Sequence, residues 1–411
     1  MQKEIFIISE LFYPNKTSTA YIMTEIAKRI AKNEKCKVNV VCADVIYDDN
    51  FDKEACANDL IELNIINATK LIGNKNSIFG KIKNAVQTCY SFGNIVLKKV
   101  KSKDTVFAVT NPFLLVVVLA FIRLFKKFNY ILLVHDVFPE NIIPAGLGNE
   151  KNISFKIIKM IYDWAYNKAD KLIVLGRDME QLITNKIGSS AKVHIIENWF
   201  DSDLIIGKEV DRNSYFGVNL DDKIVIGFAG NIGRVQNLTS FLNIFKKVNN
   251  PKLHFVIIGD GAMREEVENV IRENKLSNVH YLGTKPRMEQ SVFLNCCDIG
   301  LITLSKGMFG LGVPSKTYNL LALGKPIIYI GDEKSEIDML IDEYNIGWSF
   351  NWDHESQIID FMNTLNSLDI SKTETSKLIA QEKFSENIIL SKINNLIFHE
   401  NNFIWSLGIY W

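Results

Sequence analysis

Short apolar runs alternate along this chain with longer stretches in which apolar residues recur every three or four positions. In the first half, Glu4–Ser9, Lys37–Ala43, Thr105–Thr110, Tyr130–His135, Lys171–Leu175 and Lys192–Glu197 have the length and the branched apolar content of strands. Helical patterns over Ala20–Ala31 and Ser154–Ala169 lie between them. A polar, acidic stretch from Asn198 to Asp222 follows. A second series then begins, with strands at Lys223–Phe228, Leu253–Gly259, Val279–Leu282, Ile299–Thr303 and Pro326–Ile330 and helices at Ala262–Asn274 and Thr317–Leu323. From about His354 the pattern is helical throughout. Strands alternating with helices predict parallel pairing with helices on both faces. The fold class is therefore α/β, with two Rossmann-like domains facing across a cleft. They are assigned to residues 1–200 and 201–385, with a helical tail at 386–411 and the boundary between Asn198 and Asp221.

Composition narrows this picture. A chain of 411 residues suits two domains of ordinary size. Its 47 basic and 47 acidic residues cancel, which argues against a general nucleic-acid binder. The cysteines form no C-x-x-C pair, and Cys42 and Cys297 read as core residues of a protein kept in a reducing compartment. The first apolar run is too short for a signal peptide. The most apolar window, Phe113–Phe128, meets Arg123 well before the roughly 20 residues a spanning helix needs. The expected location is the cytoplasm, with contact at the inner face of the membrane left open. For that contact, Gly80–Lys103 suggests an amphipathic helix. Ile82, Val86, Cys89, Tyr90, Val96 and Leu97 would share its apolar side, with Lys81, Lys83, Lys98, Lys99, Lys101 and Lys103 at its ends. A core-packing helix with solvated lysines is the alternative. The apolar tail Phe403–Trp411 fits docking on either domain or on lipid.

Open parallel sheets bind ligands outside the carboxyl ends of their strands, so the residues after each strand carry the chemistry. The run Gly227–Asn237 leaves a strand, passes Gly230 and Gly233, and places Arg234 before a helix. Glycines let backbone approach a phosphate, and a guanidinium offers a planar fork to its oxygens. An ordinary glycine turn with a surface arginine is the bland alternative. In Phe309–Asn319, Pro314 and Ser315 suit a helix start, with Lys316 and Asn319 on the same face. A lysine in a first turn opposes the helix dipole unless an anion neutralises it. Each cation near 4 Å contributes on the order of 4 kcal/mol at an effective dielectric near 20, before desolvation. The helix termini add only about 0.3–1 kcal/mol each. Arg234 and Lys316 should therefore dominate any diphosphate grip.

In the first half, His135, Asp136 and Glu140 cluster at the end of a strand, where they suit sugar hydroxyls or proton handling. A turn capped by Asp136 and stiffened by Pro139 is the alternative. Tyr13, Lys16, Ser18 and Thr19 follow the first strand and fit acceptor contact, or a helix N-cap by Ser18 or Thr19. Gly259 and Asp260 fit a tight turn on the ribose or base side of a nucleotide, or a plain strand–helix turn. Asp201 and Asp203 make a D-x-D pair of the kind that can hold a hard cation, although turn roles fit better in a linker. No metal site is expected.

On Asp136-x-x-Pro-Glu140, Asn198-Trp-x-Asp201, Gly230-Asn-Ile-Gly-Arg-x-Gln236, Pro314-Ser-Lys316 and Ala322-x-Gly-Lys-Pro326, the chain resembles the family 4 glycosyltransferases of GT-B fold. The closest likeness is to the subgroup that builds capsule, O-antigen and exopolysaccharide repeats. The resemblance implies a retaining, metal-independent transfer without cofactor, from a nucleotide-sugar donor, preferably UDP-linked, to a lipid-linked or polysaccharide acceptor. It places the diphosphate on Arg234 and Lys316, the ribose near Asn319, and His135 or Asp136 against the donor sugar. The family's Glu pair falls here near Leu311 and at Asn319, neither of them acidic. A nucleotide-sugar epimerase and a non-catalytic sugar-nucleotide-binding subunit are the rival expectations.

Overall fold

A computed structural model describes residues 3–15, 17–33, 36–44, 60, 62–70, 78–201, 210–286 and 289–398. The first lobe is a seven-stranded sheet in the order β3-β2-β1-β4-β5-β6-β7, every neighbouring pair parallel. Its strands are β1 (Lys3–Ile8), β2 (Cys36–Asp44), β3 (Leu63–Lys70), β4 (Thr105–Val109), β5 (Asn129–Leu133), β6 (Lys171–Val174) and β7 (Val193–Ile195). Helices α1 (Ser18–Ala31), α2 (Ile78–Lys99), α3 (Leu115–Ile122), α4 (Ile153–Asn167) and α5 (Arg177–Ile187) cover its faces. A short α6 (Arg212–Phe216) sits in the segment leading to the second lobe.

That lobe is a six-stranded parallel sheet in the order β10-β9-β8-β11-β12-β13. Its strands are β8 (Ile224–Asn231), β9 (Leu253–Asp260), β10 (Val279–Tyr281), β11 (Ile299–Thr303), β12 (Ile327–Ile330) and β13 (Gly347–Phe350). Its helices are α7 (Leu238–Phe245), α8 (Arg264–Glu273), α9 (Gln290–Cys296), α10 (Lys316–Ala322), α11 (Glu336–Tyr344), α12 (Glu355–Thr364) and α13 (Ile370–Lys383). In their own strand numbering the sheets run 3-2-1-4-5-6-7 and 3-2-1-4-5-6, the doubly wound arrangement. Strand direction therefore reverses its progress between β1 and β4 and again between β8 and β11. Those two crevices are where ligands bind in such sheets.

The strands expected from the sequence are all present, with ends shifted by a few residues. Two more appear: β3 and β13, at sheet edges. Leu63–Lys70 reads Leu-Asn-Ile-Ile-Asn-Ala-Thr-Lys, too polar to signal a buried strand, and parts of it are exposed. Gly347–Phe350 is only four residues long.

The last described helix, α14 (Glu386–Phe398), crosses back to the first lobe. The Tyr21 hydroxyl donates to Glu386 Oε2 (3.2 Å), Arg29 donates to Ser391 Oγ (2.8 Å), and Lys392 pairs with Glu197 (2.9 Å). The helical tail expected from 386 thus belongs in space to the lobe that the chain left at Asn198. The apolar stretch Phe403–Trp411 lies outside the described residues.

One apolar core fills the first lobe and continues into the face of the second sheet that carries Leu320, Tyr329 and Ile379. A second core, around Phe241, Phe245 and Phe255, fills the opposite face. Cys42 and Cys297 are buried as expected. The apolar residues expected to share one side of α2 do not. Cys89 and Val96 face the core with Ala85 and Phe92, whereas Ile82, Val86, Tyr90 and Leu97 are exposed on the other side. At 100° per residue, positions 85, 89, 92 and 96 form one stripe and 82, 86, 90 and 97 another.

Candidate functional site

The carboxyl ends of β8 and β9 meet as a pair of glycines. Gly230 lies opposite Gly259 in the parallel register. Gly259 has φ +148°, and a Cβ there would sit 1.8 Å from the Gly230 carbonyl oxygen. No other residue can hold that backbone so close. A Cβ on Gly230 would stand 3.2 Å from Cε of Lys316, so the lysine stem lies directly over bare backbone. Sequence and geometry together make a floor without side chains, crossed by one ammonium.

Above this floor lies a cavity of about 1060 Å³ between the lobes. It slightly exceeds the roughly 300–1,000 Å³ typical of small-ligand sites. The second lobe contributes Gly230, Asn231, Gly259, Ser315, Lys316 and Asn319, and the first lobe contributes Thr17, Ser18 and Tyr21. A smaller cavity of about 190 Å³ shares Gly230, Asn231, Ser315 and Lys316 with it.

Of the residues expected from the sequence, Gly230, Gly259, Ser315, Lys316, Asn319 and Ser18 line the large cavity. Ser315 does not cap α10: it is already helical and makes no capping bond with its side chain. Asn319 Oδ1 accepts the backbone N–H of Asp201 (2.8 Å), which fixes its amide orientation. Thr17, not Ser18 or Thr19, is the N-cap of α1; its hydroxyl accepts from Ala20 N (3.3 Å), and Ser18 is left exposed. Tyr13 and Thr19 do not line the cavity, and Lys16 lies outside the described residues. Asp260 turns aside to accept from Gly261 N (2.8 Å). Gly233 donates its N–H to Gln236 (3.2 Å), so that amide is already occupied. Arg234 opens the turn Arg234–Gln236 with its side chain exposed, and it does not line the cavity. Of the D-x-D pair, Asp201 is buried and lines the cavity, while Asp203 lies outside the described residues.

His135 and Asp136 stand at the neighbouring seam between the lobes. The Thr110 hydroxyl at the end of β4 accepts both of their backbone N–H groups (3.1 and 3.3 Å), which sets the turn after β5. Val137 N donates across the seam to Leu311 O (3.1 Å). Asp136 Oδ1 would lie 3.4 Å from a Cβ on Gly312, two residues before Pro314. His135 Nε2 is buried and has no hydrogen-bond partner among the described residues. Burial pushes its pKa down to about 4, so the ring is neutral at neutral pH. Asp136 is exposed, yet the protein packed around it raises its carboxyl above the usual range, and no cation pairs with it among the described residues.

Glu140 is a different case and corrects the expectation. Its Oε1 accepts from the buried Lys186 ammonium (2.6 Å) and pairs with Lys159 (3.5 Å); Lys186 also pairs with Asp163 (2.6 Å). This carboxylate neutralises a buried lysine inside the first lobe and is not offered to a substrate.

The sequence alone gave several groups around the site no role, although Trp199 stands in the Asn198-Trp-x-Asp201 motif. Trp199 and Tyr21 wall the cavity with ring centroids 6.3 Å apart, and Trp199 Nε1 is buried without a partner among the described residues. Lys285 and Gln290 also face the cavity. Lys285 follows β10, and the rule of reading strand ends would have found it.

On the other side of the seam, Arg177 donates to Glu336 (3.0 Å) and Glu343 (2.8 Å) of the second lobe. Asp178 next to it is buried and accepts from Met179 N (2.7 Å) and from Gly310 N (3.1 Å).

Two Rossmann-like lobes that meet over a glycine floor at their switch points define the GT-B architecture. Solved structures agree on the fold. Sucrose-phosphate synthase from Thermosynechococcus elongatus superposes with a TM-score of 0.74 at 12% identity, covering 96% of this chain and 98% of its own. HepE of Anabaena, in complex with UDP-glucose, gives 0.67 at 15% identity, covering 96% and 99%. Residues 211–367 match the family described as Glycosyl transferases group 1. The probable glycosyltransferase WbjE of Pseudomonas aeruginosa is 33% identical over 323 residues, 78% of this chain and 80% of that protein. The O-antigen biosynthesis glycosyltransferase WclY of Escherichia coli is 23% identical over 230 residues, 55% and 61% of the two chains. This chain belongs to the group 1 glycosyltransferases.

Proposed function

We propose that this enzyme is a retaining transferase that moves a sugar from a nucleoside diphosphate, most simply UDP, onto a lipid-linked saccharide or growing polysaccharide in surface polysaccharide synthesis. The observation that carries the donor class is the glycine floor of Gly230 and Gly259 with Lys316 lying across it. A diphosphate carries about two charges, and bare backbone lets its oxygens come close enough for an ammonium to act at short range. HepE, of the same fold, is known in complex with UDP and with UDP-glucose. WclY is named for O-antigen biosynthesis, which supports the acceptor class.

The chemistry then divides between the lobes. Lys316 stabilises the diphosphate as the bond to the sugar breaks, so it acts where charge develops. Ser315 donates a hydrogen bond to the same group, while the floor contributes close approach, since the Gly259 N–H is already given to Gly283 O (2.9 Å). Neutral His135 and the Asp136 carboxylate stand at the seam beside the cavity and not in its lining, and from there the carboxylate can meet the developing positive charge at the anomeric carbon. Thr17, Ser18 and Tyr21 hold the acceptor hydroxyl. The charge of the leaving group is met by protein cations, without a metal ion. Arg234 serves as an exposed second cation, weakened by water.

The test has two arms. A panel of nucleoside diphosphates should raise Tm selectively for UDP, since a ligand that binds only the folded state stabilises it by mass action. Lys316→Ala should lower kcat/KM on the order of a hundredfold and abolish the UDP shift, with the fold intact. Wild-type turnover in that variant would remove the assignment.

A further inference from the structure

Helix α1 carries one face past two cavities. Ser18 and Tyr21 line the large cavity between the lobes. Glu25, Lys28, Arg29 and Lys32, further along the same helix, line a second cavity of about 610 Å³. Positions 18, 21, 25, 28 and 32 are spaced by alternating steps of three and four, which keeps them on one side of a helix. From Ser18 to Lys32 that side runs about 21 Å. Helix α14 forms the opposite wall with Glu386, Asn387 and Leu390. The bond from Tyr21 to Glu386 Oε2 (3.2 Å) marks where the two cavities adjoin, since Tyr21 lines the first and Glu386 the second. The bond from Arg29 to Ser391 Oγ (2.8 Å) ties α1 to α14 further along. The return of the chain to the first lobe therefore builds a trough beside the large cavity.

The chemistry of this trough is mixed and its charge cancels. Three carboxylates, Glu25, Glu62 and Glu386, line it together with three cations, Lys28, Arg29 and Lys32. Such a lining favours neither a polyanion nor a cation. Its volume falls within the roughly 300–1,000 Å³ of small-ligand sites. Lys28 and Glu25 pair at 3.0 Å with their side chains only 30% and 19% exposed, so these charges stand partly sheltered from water. Ala31, Leu63 and Leu390 set apolar patches among them. An uncharged saccharide matches both features. Its hydroxyls donate and accept, so adjacent ones can bond a carboxylate and an ammonium together, and hydrogen bonds to charged groups are the strong ones. Its C–H faces take the apolar patches. An acyl chain would strip water from six charged groups and return no hydrogen bond.

We infer that the trough between α1 and α14 holds the sugars behind the reacting end of an uncharged oligosaccharide acceptor, whose terminal residue reaches the large cavity at Ser18 and Tyr21. This deepens the transferase reading and rests on it for the identity of the ligand as acceptor. A face of about 21 Å takes several pyranose rings in line. The acceptor is therefore already a chain when this enzyme meets it. An earlier glycosyl transfer must supply that chain, and this step extends it instead of starting it. Every residue lining the trough belongs to the first lobe or to α14, so acceptor length is read without help from the second lobe.

The experiment is calorimetric titration of the full chain, with UDP present, using uncharged fragments of graded length from partial hydrolysis of the source cell's own surface polysaccharide. Longer fragments should bind about tenfold or more tightly than a single sugar, which one added hydrogen bond to a charged group is enough to supply. Asn387→Trp fills the trough from an exposed position on α14. It should remove the gain with length and leave single-sugar binding, Tm and the UDP shift as in the wild-type chain. Lys28→Ala/Lys32→Ala should weaken long-fragment binding by about tenfold without adding bulk. The inference is overturned if wild-type affinity does not grow with length, or if both variants keep the gain. It is also overturned if carboxylated fragments bind more tightly than uncharged ones. Length dependence is read from binding and not from turnover. A missing UDP shift therefore faults the donor reading, whereas a missing length effect with that shift intact faults the trough alone.

Discussion

Two aspartates of the first lobe grip the same loop of the second from different points, and they are treated differently. Asp178 reaches the Gly310 N–H, and its other oxygen accepts from Met179 N. Asp136 stands against Gly312, and among the described residues neither a cation nor a hydrogen-bond donor reaches its carboxylate. Burial raises the pKa of both, but in Asp178 backbone amides oppose the shift. A carboxylate with its lone pairs satisfied is a clamp. An exposed one with no protein donor is held only by water and can exchange that water for substrate. The contrast makes Asp178 the holder of the Phe309–Lys316 loop and leaves Asp136 as the carboxylate that the proposed transfer would use.

Asp136→Asn is the sharpest way to break this contrast. Removing a catalytic carboxylate should lower kcat on the order of a hundredfold. Its Tm should rise, and the sign follows from linkage. A carboxyl with a raised folded pKa contributes stability below its unfolded value and loses it as pH climbs through the folded one, so the ionised form is a burden at neutral pH. Asp178→Asn should do the reverse in stability. It turns an amide group toward backbone donors, costs about 1–3 kcal/mol and lowers Tm. Its effect on turnover should be about tenfold, through a loop that holds Lys316 less well. If the two variants shift Tm in the same direction, the distinction between clamp and catalyst fails.

The smallest effect comes from His135. Its folded pKa of about 4 lies below the ordinary 6.5, so the unfolded chain binds the extra proton first. Stability is therefore lost as pH falls from about 6.5 toward 4. His194, His254 and His280 are shifted the same way by burial and add to the same limb. Thermal melts of His135→Gln should fall less steeply with acid than those of the wild-type chain. Equal slopes would show that the ring is not desolvated at the seam.

How much of this was legible beforehand depends on what kind of signal each feature leaves. The sheets were readable because buried parallel strands are continuous apolar runs, and the two strands missed were a polar edge and a four-residue one. The glycine floor and Lys316 were readable because strand ends mark ligand positions. Glu140 misled because sequence shows a carboxylate in the right loop but not Lys186, 46 residues on, that claims it. Asp178 was invisible for the same reason, since its partner Gly310 is 132 residues away.

The return of α14 to the first lobe has a consequence for engineering and for descent by recombination. The polypeptide passes between the lobes twice, near Asp201 and again near Phe384, whose carbonyl accepts from Phe200 N (3.2 Å). The two crossings lie side by side, so the second lobe is an insertion with adjacent ends, not the terminal half of a string. A hybrid made by one splice would strip α1 of its covering helix, whereas a graft joined at both crossings would exchange the second lobe entire and leave the first with α14 in place.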